Sequence, residues 1–193
     1  MTTGGQMTSR TLPWLAMAAV LAGGVYQLRS QGRLWICACD YVLLWTNEYW
    51  GSNTSQQLLD PASFTHLLHG FVLCGLLALV VPRVPPVWRL WMAVSIEVLW
   101  EVLENSKFVI RRYREGTAAF GYHGDTVVNS AGDVLCCGLG FLLARSLGFR
   151  RSLAVFVAVE ATLAVWIRDG LLLNVLMLIY PIDAIEAWQA AGH

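Results

Sequence analysis

Three carboxylates lie inside the otherwise apolar residues 96–105, and this feature constrains the fold more than any other. At about 100° per residue, Glu97, Glu101 and Glu104 fall within roughly 60° of one another on a helix. An ionised carboxylate in hydrocarbon costs at least about 2.5 to 3.5 kcal/mol, so acids in an apolar helix usually face a protein interior, a partner or water. The stretch therefore predicts a functional site on one helix face.

The composition favours a polytopic membrane protein. Charged residues make up 13% of the 193 residues and hydrophobic residues 56%, whereas a soluble domain carries about 25% charge. Lys plus Arg and Asp plus Glu number 13 each, so no excess of charge points to nucleic acid. We therefore expect an all-α bundle of membrane helices, with the lipid bilayer as its solvent and no nucleic acid as a partner.

The apolar runs predict one integral membrane domain over residues 1–193. The predicted spans cover residues 12–28, 64–81, 89–110, 124–144 and 152–168. Residues 171–182 are too short to cross the bilayer easily, which leaves a re-entrant segment or a short sixth span. Residues 34–45 are also too short, and their tryptophans and tyrosine predict a segment that lies at the headgroup level.

Polar residues recur where the second and fourth predicted spans begin. His66 and His69 stand at i and i+3 on one helix face, a spacing compatible with shared metal ligation or paired hydrogen bonds. Asp125 lies at the start of the fourth span, where it can cap the helix or bind a ligand. The third span is followed by Arg112 and Arg114, which either anchor the protein at headgroups or clamp a phosphate or carboxylate of a substrate.

With five alternating spans, these polar ends fall on the same side of the membrane. The residues on that side are His66, His69, Glu101, Glu104, Asn105, Asp125, Asn129, Arg168 and Asp169. Glu97 and Asp133 lie deeper. The basic residues divide almost evenly between the two sides, and only when the cluster at residues 111–114 is set aside do they favour a polar side that faces outward.

The cysteines predict little chemistry. Cys37 and Cys39 stand too close for an easy mutual disulfide and lack the second pair that a zinc site needs, so a metal or redox role is the less favoured alternative. Cys74, Cys136 and Cys137 lie in apolar runs, where a small buried hydrophobe is the expected role.

Roles can be assigned to the polar residues. The candidate catalytic residues are His66, His69, Glu101, Glu104 and Asp125. The first four are also candidate ligands of a divalent metal such as Zn, Mn or Fe, although no H-E-x-x-H pattern identifies the ion. The candidate substrate-binding residues are Arg112, Arg114, Asn105, Asn129 and Arg168.

Three motifs carry a resemblance to a known family. They are E-x-x-W-E-x-x-E-N at residues 97–105, G-D-x-x-x-N-S-x-x-D at residues 124–133 and S-x-x-H-x-x-H-G at residues 63–70. Together they resemble an uncharacterised bacterial protein family (UPF, DUF) of small integral inner-membrane proteins, and the likeness covers nearly the whole chain. It implies a multi-pass protein of the bacterial plasma membrane and no established activity.

This chain departs from the family pattern in its first loop. Residues 53–57 read Asn-Thr-Ser-Gln-Gln, where Glu-Asn-Ser-Gln-His is expected, and Asp40 stands where Gly is expected. A role for an acid or histidine of that loop does not carry over. The acid-rich span followed by an Asp and Asn helix start is also similar to VanZ-like membrane proteins, which are linked with glycopeptide resistance; that likeness is an analogy.

Three functions fit these patterns. The first is an intramembrane enzyme acting on a lipid or lipid-linked substrate, with the histidines and acids as metal ligands or acid/base groups. The second is a binding or transport protein in which the acids relay protons or hold a cation, although no inverted repeat supports a transporter. The third is an assembly or structural membrane factor in which these side chains satisfy one another.

Overall fold

The computed structural model describes residues 3–51, 53–117 and 121–191, and all regular structure in these ranges is helical. The helices are α1 (Thr3–Ser30), α2 (Ser63–Val80), α3 (Pro86–Glu104), α4 (Lys107–Gly116), α5 (Val127–Leu147), α6 (Phe149–Trp166), α7 (Leu171–Ile179) and α8 (Asp183–Ala190). The all-α prediction is confirmed.

Three of the described helices are long and apolar enough to cross a membrane. They are Thr11–Ser30 within α1, Ser63–Val80 and Val127–Leu147. The pair α6 and α7, bent by 70° at their break, adds a fourth if it counts as one span. Helix α3 is as long as α2 but carries Arg89 and three glutamates. The structure supports a membrane helix bundle, and the count of five spans stays a prediction.

Glycine brings α2 and α5 into close contact. A Cβ added to Gly70 would lie 2.1 Å from the carbonyl oxygen of Cys137, and one added to Gly140 would lie 2.0 Å from that of Leu67. Only a residue without a side chain allows two helix backbones to approach this closely. The contact places the first turns of α2 beside the first turns of α5, where both helices carry polar residues.

The third predicted helix ends earlier than residue 110. Helix α3 ends at Glu104, and Asn105 turns the chain instead of continuing the helix. The Ser106 side chain then accepts a hydrogen bond from the N–H of Val109 at 3.3 Å, so it caps a new helix, α4. Helix α4 packs through Ile110 and its neighbours instead of extending the span.

The loop between α1 and α2 packs against the start of α5. The N–H groups of Val127 and Val128 donate to the carbonyls of Leu34 and Trp35 at 2.8 and 3.1 Å. These N–H groups have no partner within their own helix, so the loop satisfies them. The aromatic and apolar side chains of residues 34–45 remain largely exposed, as expected of a segment that lies at a membrane surface.

Cys37 and Cys39 form a disulfide, which corrects the expectation that they stand too close to pair. The chain turns between them, and the N–H of Asp40 donates to the carbonyl of Cys37 at 3.1 Å. The turn holds the two Cα atoms 5.0 Å apart, within the range that a disulfide spans. Sequence spacing alone did not anticipate this turn. Cys74, Cys136 and Cys137 are free thiols, and Cys137 is fully buried.

We predict that Gly70→Ala destabilises the protein, because its Cβ would overlap the carbonyl oxygen of Cys137. Overpacking of this kind costs about 1–3 kcal/mol. Gly75→Ala is the matched control, since Gly75 lies on the same helix with nothing within 4 Å of its added Cβ. The unfolding midpoint in detergent, followed by tryptophan fluorescence, should fall for the first variant and stay level or rise for the second. Equal midpoints would contradict close packing at Gly70.

Candidate functional site

His66 lies at the centre of a buried polar cluster. Its Nδ1 is 2.6 Å from Glu97 Oε1 and 3.3 Å from Glu101 Oε1, and its Nε2 is 3.9 Å from Asp133 Oδ2. The side chains come from the first turn of α2, the second half of α3 and the first half of α5. All four residues are at most 6% exposed. We call His66, Glu97, Glu101 and Asp133, together with His69, the polar cluster.

His69 is the member of the polar cluster nearest to the surface. Its Nδ1 lies 3.0 Å from both carboxylate oxygens of Glu97, and its ring is 5.1 Å from the ring of His66. Its side chain is 18% exposed, and the Trp100 ring packs edge-on against it at 5.9 Å. The i, i+3 spacing therefore does place both histidines on one face, and that face meets Glu97.

Glu101 is the least satisfied member. It is 1% exposed, and neither of its carboxylate oxygens receives a hydrogen bond from the described residues. Carboxylates only accept hydrogen bonds, so both acids compete for the one hydrogen on Nδ1 of His66. Glu97 receives it, because its oxygen lies nearer to Nδ1 than that of Glu101 does. A buried carboxylate without a hydrogen-bond donor raises the free energy of the folded protein. Protonation, a cationic side chain or a bound metal ion usually compensates for this.

Two sets of side chains in the polar cluster have the atom types and the spacing of metal ligands, and we call them the metal-type groups. One consists of His66, His69 and Glu97, and the other of His66, Glu101 and Asp133. The ligand atoms of each group lie within 4.8 Å of one another. Two ligands of a tetrahedral zinc ion, with bonds of about 2.0–2.1 Å, lie roughly 3.3 Å apart. The second group fits better, because the oxygens of Glu97 already accept from two imidazoles, whereas those of Glu101 receive no hydrogen bond from the described residues.

A second layer of contacts holds Asp133 and the start of α2. The Ser63 hydroxyl donates to Asp133 Oδ1 at 2.7 Å and accepts from the N–H of Asp60 at 3.2 Å. The Asp60 carboxylate accepts from the N–H groups of Ser55 and Ala62 at 2.9 and 2.8 Å. Burial raises the pKa of Asp60 although these two N–H groups oppose the shift. The hydrogen bond from Ser63 fixes the orientation of the Asp133 carboxylate, as the outer contacts of metal ligands do.

Asp125 lies just before α5, where neighbouring side chains hold its carboxylate. Asn105 Nδ2 donates to Oδ2 at 2.6 Å, and the Tyr122 hydroxyl donates to Oδ1 at 2.9 Å. Thr126, and not Asp125, caps α5, since its hydroxyl accepts from the N–H of Asn129. Burial raises the pKa of Asp125 above its usual range, although hydrogen bonds from Asn105, Tyr122 and Ser55 oppose the shift. Burial beside this acid raises the pKa of Tyr122.

Glu104 lies apart from both metal-type groups, although the sequence analysis placed it among the candidate ligands. It lines a separate polar cavity of about 50 Å³. Its neighbours there include Tyr113, Tyr122, Asp169 and Gln189. Glu104 is the last residue of α3, three positions beyond Glu101, and therefore lies nearer the end of the helix than the polar cluster does.

The three predicted arginines lie outside the polar cluster. Arg112 donates to the carbonyls of Leu178 and Ile179 at the end of α7, and Arg168 donates to the carbonyl of Trp188 at 2.7 Å. Arg114 is exposed on α4. In the described ranges the one ion pair that includes Arg or Lys joins Arg111 to Glu115. No described basic side chain other than histidine therefore balances the buried acids, and a role for these arginines in substrate binding stays a prediction.

Asn129 and Asn105, the remaining predicted binding residues, have structural contacts. Asn129 Nδ2 donates to the carbonyl of Gln57 at 2.8 Å, which ties the first loop to α5. Asn105 bridges Glu101 and Asp125, since its Nδ2 also donates to the carbonyl of Glu101 at 3.0 Å. Both side chains are buried, and a role in substrate binding remains a prediction for each.

Glu97 and Asp133 are central to the polar cluster, yet the sequence assigned neither of them a catalytic, binding or metal role. The signal for Glu97 is the helix face that it shares with Glu101. Asp133 follows Asn129 by one helical turn, but Asn129 contacts the loop while Asp133 faces His66. Only the packing of α2 against α5 reveals that difference.

We predict that the Asp125→Asn variant gains stability relative to the wild type as the pH rises. A carboxyl whose folded pKa is raised stabilises the fold below the unfolded pKa of about 4, and this contribution is lost as the pH rises through the folded value. The amide has no such dependence, and its NH2 can donate to the hydroxyl of Tyr122. Unfolding midpoints of both proteins between about pH 4 and 8 measure the difference. A difference that stays constant or shrinks would show that folding does not raise the pKa of Asp125.

Comparison with known proteins identifies the relatives of this chain. Residues 28–191 match the model of the family "Protein of unknown function (DUF2585)". A UPF0314 protein of Paracoccus denitrificans is 42% identical over 184 residues, which cover 95% of both chains. A UPF0314 protein of Rhizobium meliloti is 42% identical over 94% of this chain and 92% of the relative, and one of Sphingopyxis alaskensis is 43% identical over 93% and 95%.

No solved structure matches this chain. The family match spans most of the sequence, including every residue of the polar cluster, and the curated relatives align over nearly their full length. The chain therefore belongs to the DUF2585 family of bacterial UPF0314 proteins.

Proposed function

We propose that this protein is a metal-dependent enzyme of the bacterial plasma membrane that acts on a lipid or lipid-linked substrate. The observation that carries the proposal is the buried group of His66, Glu101 and Asp133, in which Glu101 has no hydrogen-bond donor among the described residues. One imidazole and two carboxylates suit Zn, Mn or Fe, and a site with three protein ligands leaves room for water or substrate.

A divalent ion at this group would supply a Lewis acid and an activated water at neutral pH. The surrounding contacts support that role. Glu97 accepts from the Nδ1–H of His66 at 2.6 Å, the arrangement in which a carboxylate orients a metal-binding histidine. Ser63 does the same for Asp133 from the other side of the group.

His69 and Glu97 are the proposed acid/base pair. His69 contacts both oxygens of Glu97 and is partly exposed, so it can exchange a proton with a substrate group beside the metal-type group. This assignment keeps the predicted catalytic roles of His66, His69 and Glu101. In it Asp125 has a positioning role, since it binds Asn105, which in turn holds the backbone of Glu101.

Proton coupling is the second candidate function. A surface cavity of about 560 Å³, lined by Arg33, Gln56, His123 and Asp125 among others, lies where α5 begins. Asp125 lines this cavity, and its carboxyl accepts from Asn105, which also holds the backbone carbonyl of Glu101. This carboxyl can therefore exchange a proton with water at the edge of the buried acids. This observation favours a proton relay in the same residues, without a metal.

The disulfide supports an orientation with the polar side outward. Cys37 and Cys39 lie in the loop that covers the start of α5, on the same side as the polar cluster. Disulfides persist in oxidising compartments such as the bacterial periplasm. We therefore assign this loop to the periplasmic side of the plasma membrane. The VanZ likeness stays a prediction, and an outward-facing site with a lipid-linked substrate would fit it.

We predict that the purified protein binds about one divalent transition-metal ion per chain, and that Glu101→Gln abolishes this binding. Glutamine has nearly the shape of a neutral glutamate, so the metal-free variant should fold as well as the metal-free wild type. Elemental analysis after purification without chelators measures the content. Added metal at about 100 times its Kd should stabilise the wild type by about 2.7 kcal/mol and leave the variant unchanged.

His123→Ala is the matched control, because it removes an exposed histidine that lies outside the polar cluster. This variant should bind the same amount of metal as the wild type. A wild type without metal, or a Glu101→Gln variant that retains it, would refute the metal-dependent enzyme. A purely structural cluster predicts instead that His66→Ala loses about 3–5 kcal/mol of stability while no variant changes a metal content.

We predict that Cys37 and Cys39 react from the outside of intact spheroplasts. A membrane-impermeant maleimide should label them only after treatment with a membrane-impermeant reductant, and peptide mass spectrometry should locate the label. The Cys37→Ser, Cys39→Ser double variant should remain unlabelled. Labelling that requires disruption of the membrane would place the loop in the cytoplasm and contradict the proposed orientation.

A further inference from the structure

Helices α1, α3 and α5 leave an apolar groove of about 490 Å³ between them. Its apolar lining includes Met17, Leu21, Val94, Leu135, Leu139 and Leu142. Leu135, Leu139 and Leu142 are each about half exposed along α5, so the groove opens sideways. Because α1 and α5 are both candidate membrane spans, this opening faces the lipid phase.

The polar side chains in the groove lining are Glu101 and Ser130. Glu101 is 1% exposed and Ser130 is 3% exposed. Neither carboxylate oxygen of Glu101 nor the hydroxyl of Ser130 has a hydrogen-bond partner among the described residues. Both lie where α3 ends and α5 begins, so one end of the groove is polar and the rest is apolar. Ligand pockets have this composition, a few polar groups in an apolar lining.

The length of the groove matches one leaflet of a bilayer. From Ser130 to Leu142 the axis of α5 rises about 18 Å at 1.5 Å per residue. The hydrocarbon of a single leaflet, half of a core of about 30 Å, is about 15 Å thick. An extended acyl chain therefore spans the groove while its ester end lies at the level of Glu101.

A narrow occupant fits the groove better than a helix does. Its polar end is formed by Glu101, which is 1% exposed, and Ser130, which is 3% exposed. A single acyl chain that lies inside the groove can reach these two side chains, whereas a helix with a diameter of about 10 Å would cover the groove from outside. A second copy of the protein is therefore the alternative occupant, and it would leave the polar end unfilled.

We propose that the groove binds one acyl chain of a membrane glycerophospholipid and places its ester linkage beside Glu101 and Ser130. As a substrate site, this inference rests on the proposed function, and it names the substrate class: a glycerophospholipid that enters sideways from the bilayer. Glu101 belongs both to the groove and to the metal-type group with His66 and Asp133, so the lipid linkage meets the reactive residues directly.

The test compares lipid retention in two glycine variants. Gly138 lines the groove, and its added Cβ would meet only Val94 at 3.9 Å, so Gly138→Leu fills the groove without a backbone clash. Gly75→Leu places the same side chain on the exposed face of α2, where nothing lies within 4 Å of the added Cβ. Native mass spectrometry of full-length protein, released from nanodiscs of phosphatidylethanolamine and phosphatidylglycerol, measures the bound lipid.

We expect one phospholipid to remain bound to the wild type and to Gly75→Leu under conditions that strip surface lipids. The bound fraction should fall about tenfold in Gly138→Leu, the factor expected when about two methylenes lose their buried site. Equal retention in both variants would overturn the inference. A dimer that forms in the wild type and dissociates in Gly138→Leu, without bound lipid, would overturn it in favour of a second copy.

Metal content measured on the same samples separates this inference from the proposed function. Gly138→Leu should keep the metal of the wild type while it loses the lipid. Retained lipid in a wild type without metal would refute the enzyme proposal and leave the lipid site standing. Retained metal with equal lipid in both glycine variants would refute the lipid site alone.

Discussion

The contact between His66 and Glu97 determines how the rest of the structure is arranged. The imidazole joins α2 to α3 at 2.6 Å and has Glu101 and Asp133 as its other neighbours. Three buried carboxylates thus surround one ring, in a region where isolated charges are expensive. The helices must therefore keep these side chains together, because separating any of them would leave an acid without a partner.

The close approach of α2 and α5 makes that arrangement feasible. Gly70 and Gly140 let the two backbones touch, and this brings His66 and Asp133 within 4 Å of one another. The loop before α2 completes the contact through Ser63 and Asp60, while Thr126 caps α5. The hydrophobic effect contributes little to the association of helices in lipid. Small residues that allow close packing and polar contacts therefore stabilise most of the association.

Much of the fold could be predicted from the sequence, and the features that could not be predicted have physical causes. The helical class followed from composition, and the i, i+3 histidines and the shared face of Glu97 and Glu101 followed from helix periodicity. The sequence places the end of this helix either near Asn105 or a turn later, at residue 110, because a capping serine in an apolar run has only a local signal. The Cys37–Cys39 disulfide depends on a turn that pair spacing does not encode.

Which residues form the site could be learned only from the tertiary contacts. Helix periodicity cannot say whether Asn129 or Asp133 meets His66, since the two lie one turn apart on the same helix and differ by a small rotation. The packing of α5 decides it: Asn129 is taken by the loop carbonyl of Gln57, and Asp133 is directed to the histidine. Likewise, the basic run at residues 111–114 predicts a headgroup anchor or a substrate clamp, and only the packing shows that Arg112 also donates to the carbonyls at the end of α7.

Glu101 connects the polar cluster to the apolar groove, and its position suggests why a costly side chain is kept there. If its only purpose were to hold α3 against α2, a well-packed apolar residue would serve as well or better, because buried ionic groups often contribute little net stability. Its carboxylate instead lies where the histidine donates to another acid and where the groove from the lipid phase ends. A group that has no hydrogen-bond partner among the described residues is available to a ligand, and the groove leads to this one side chain.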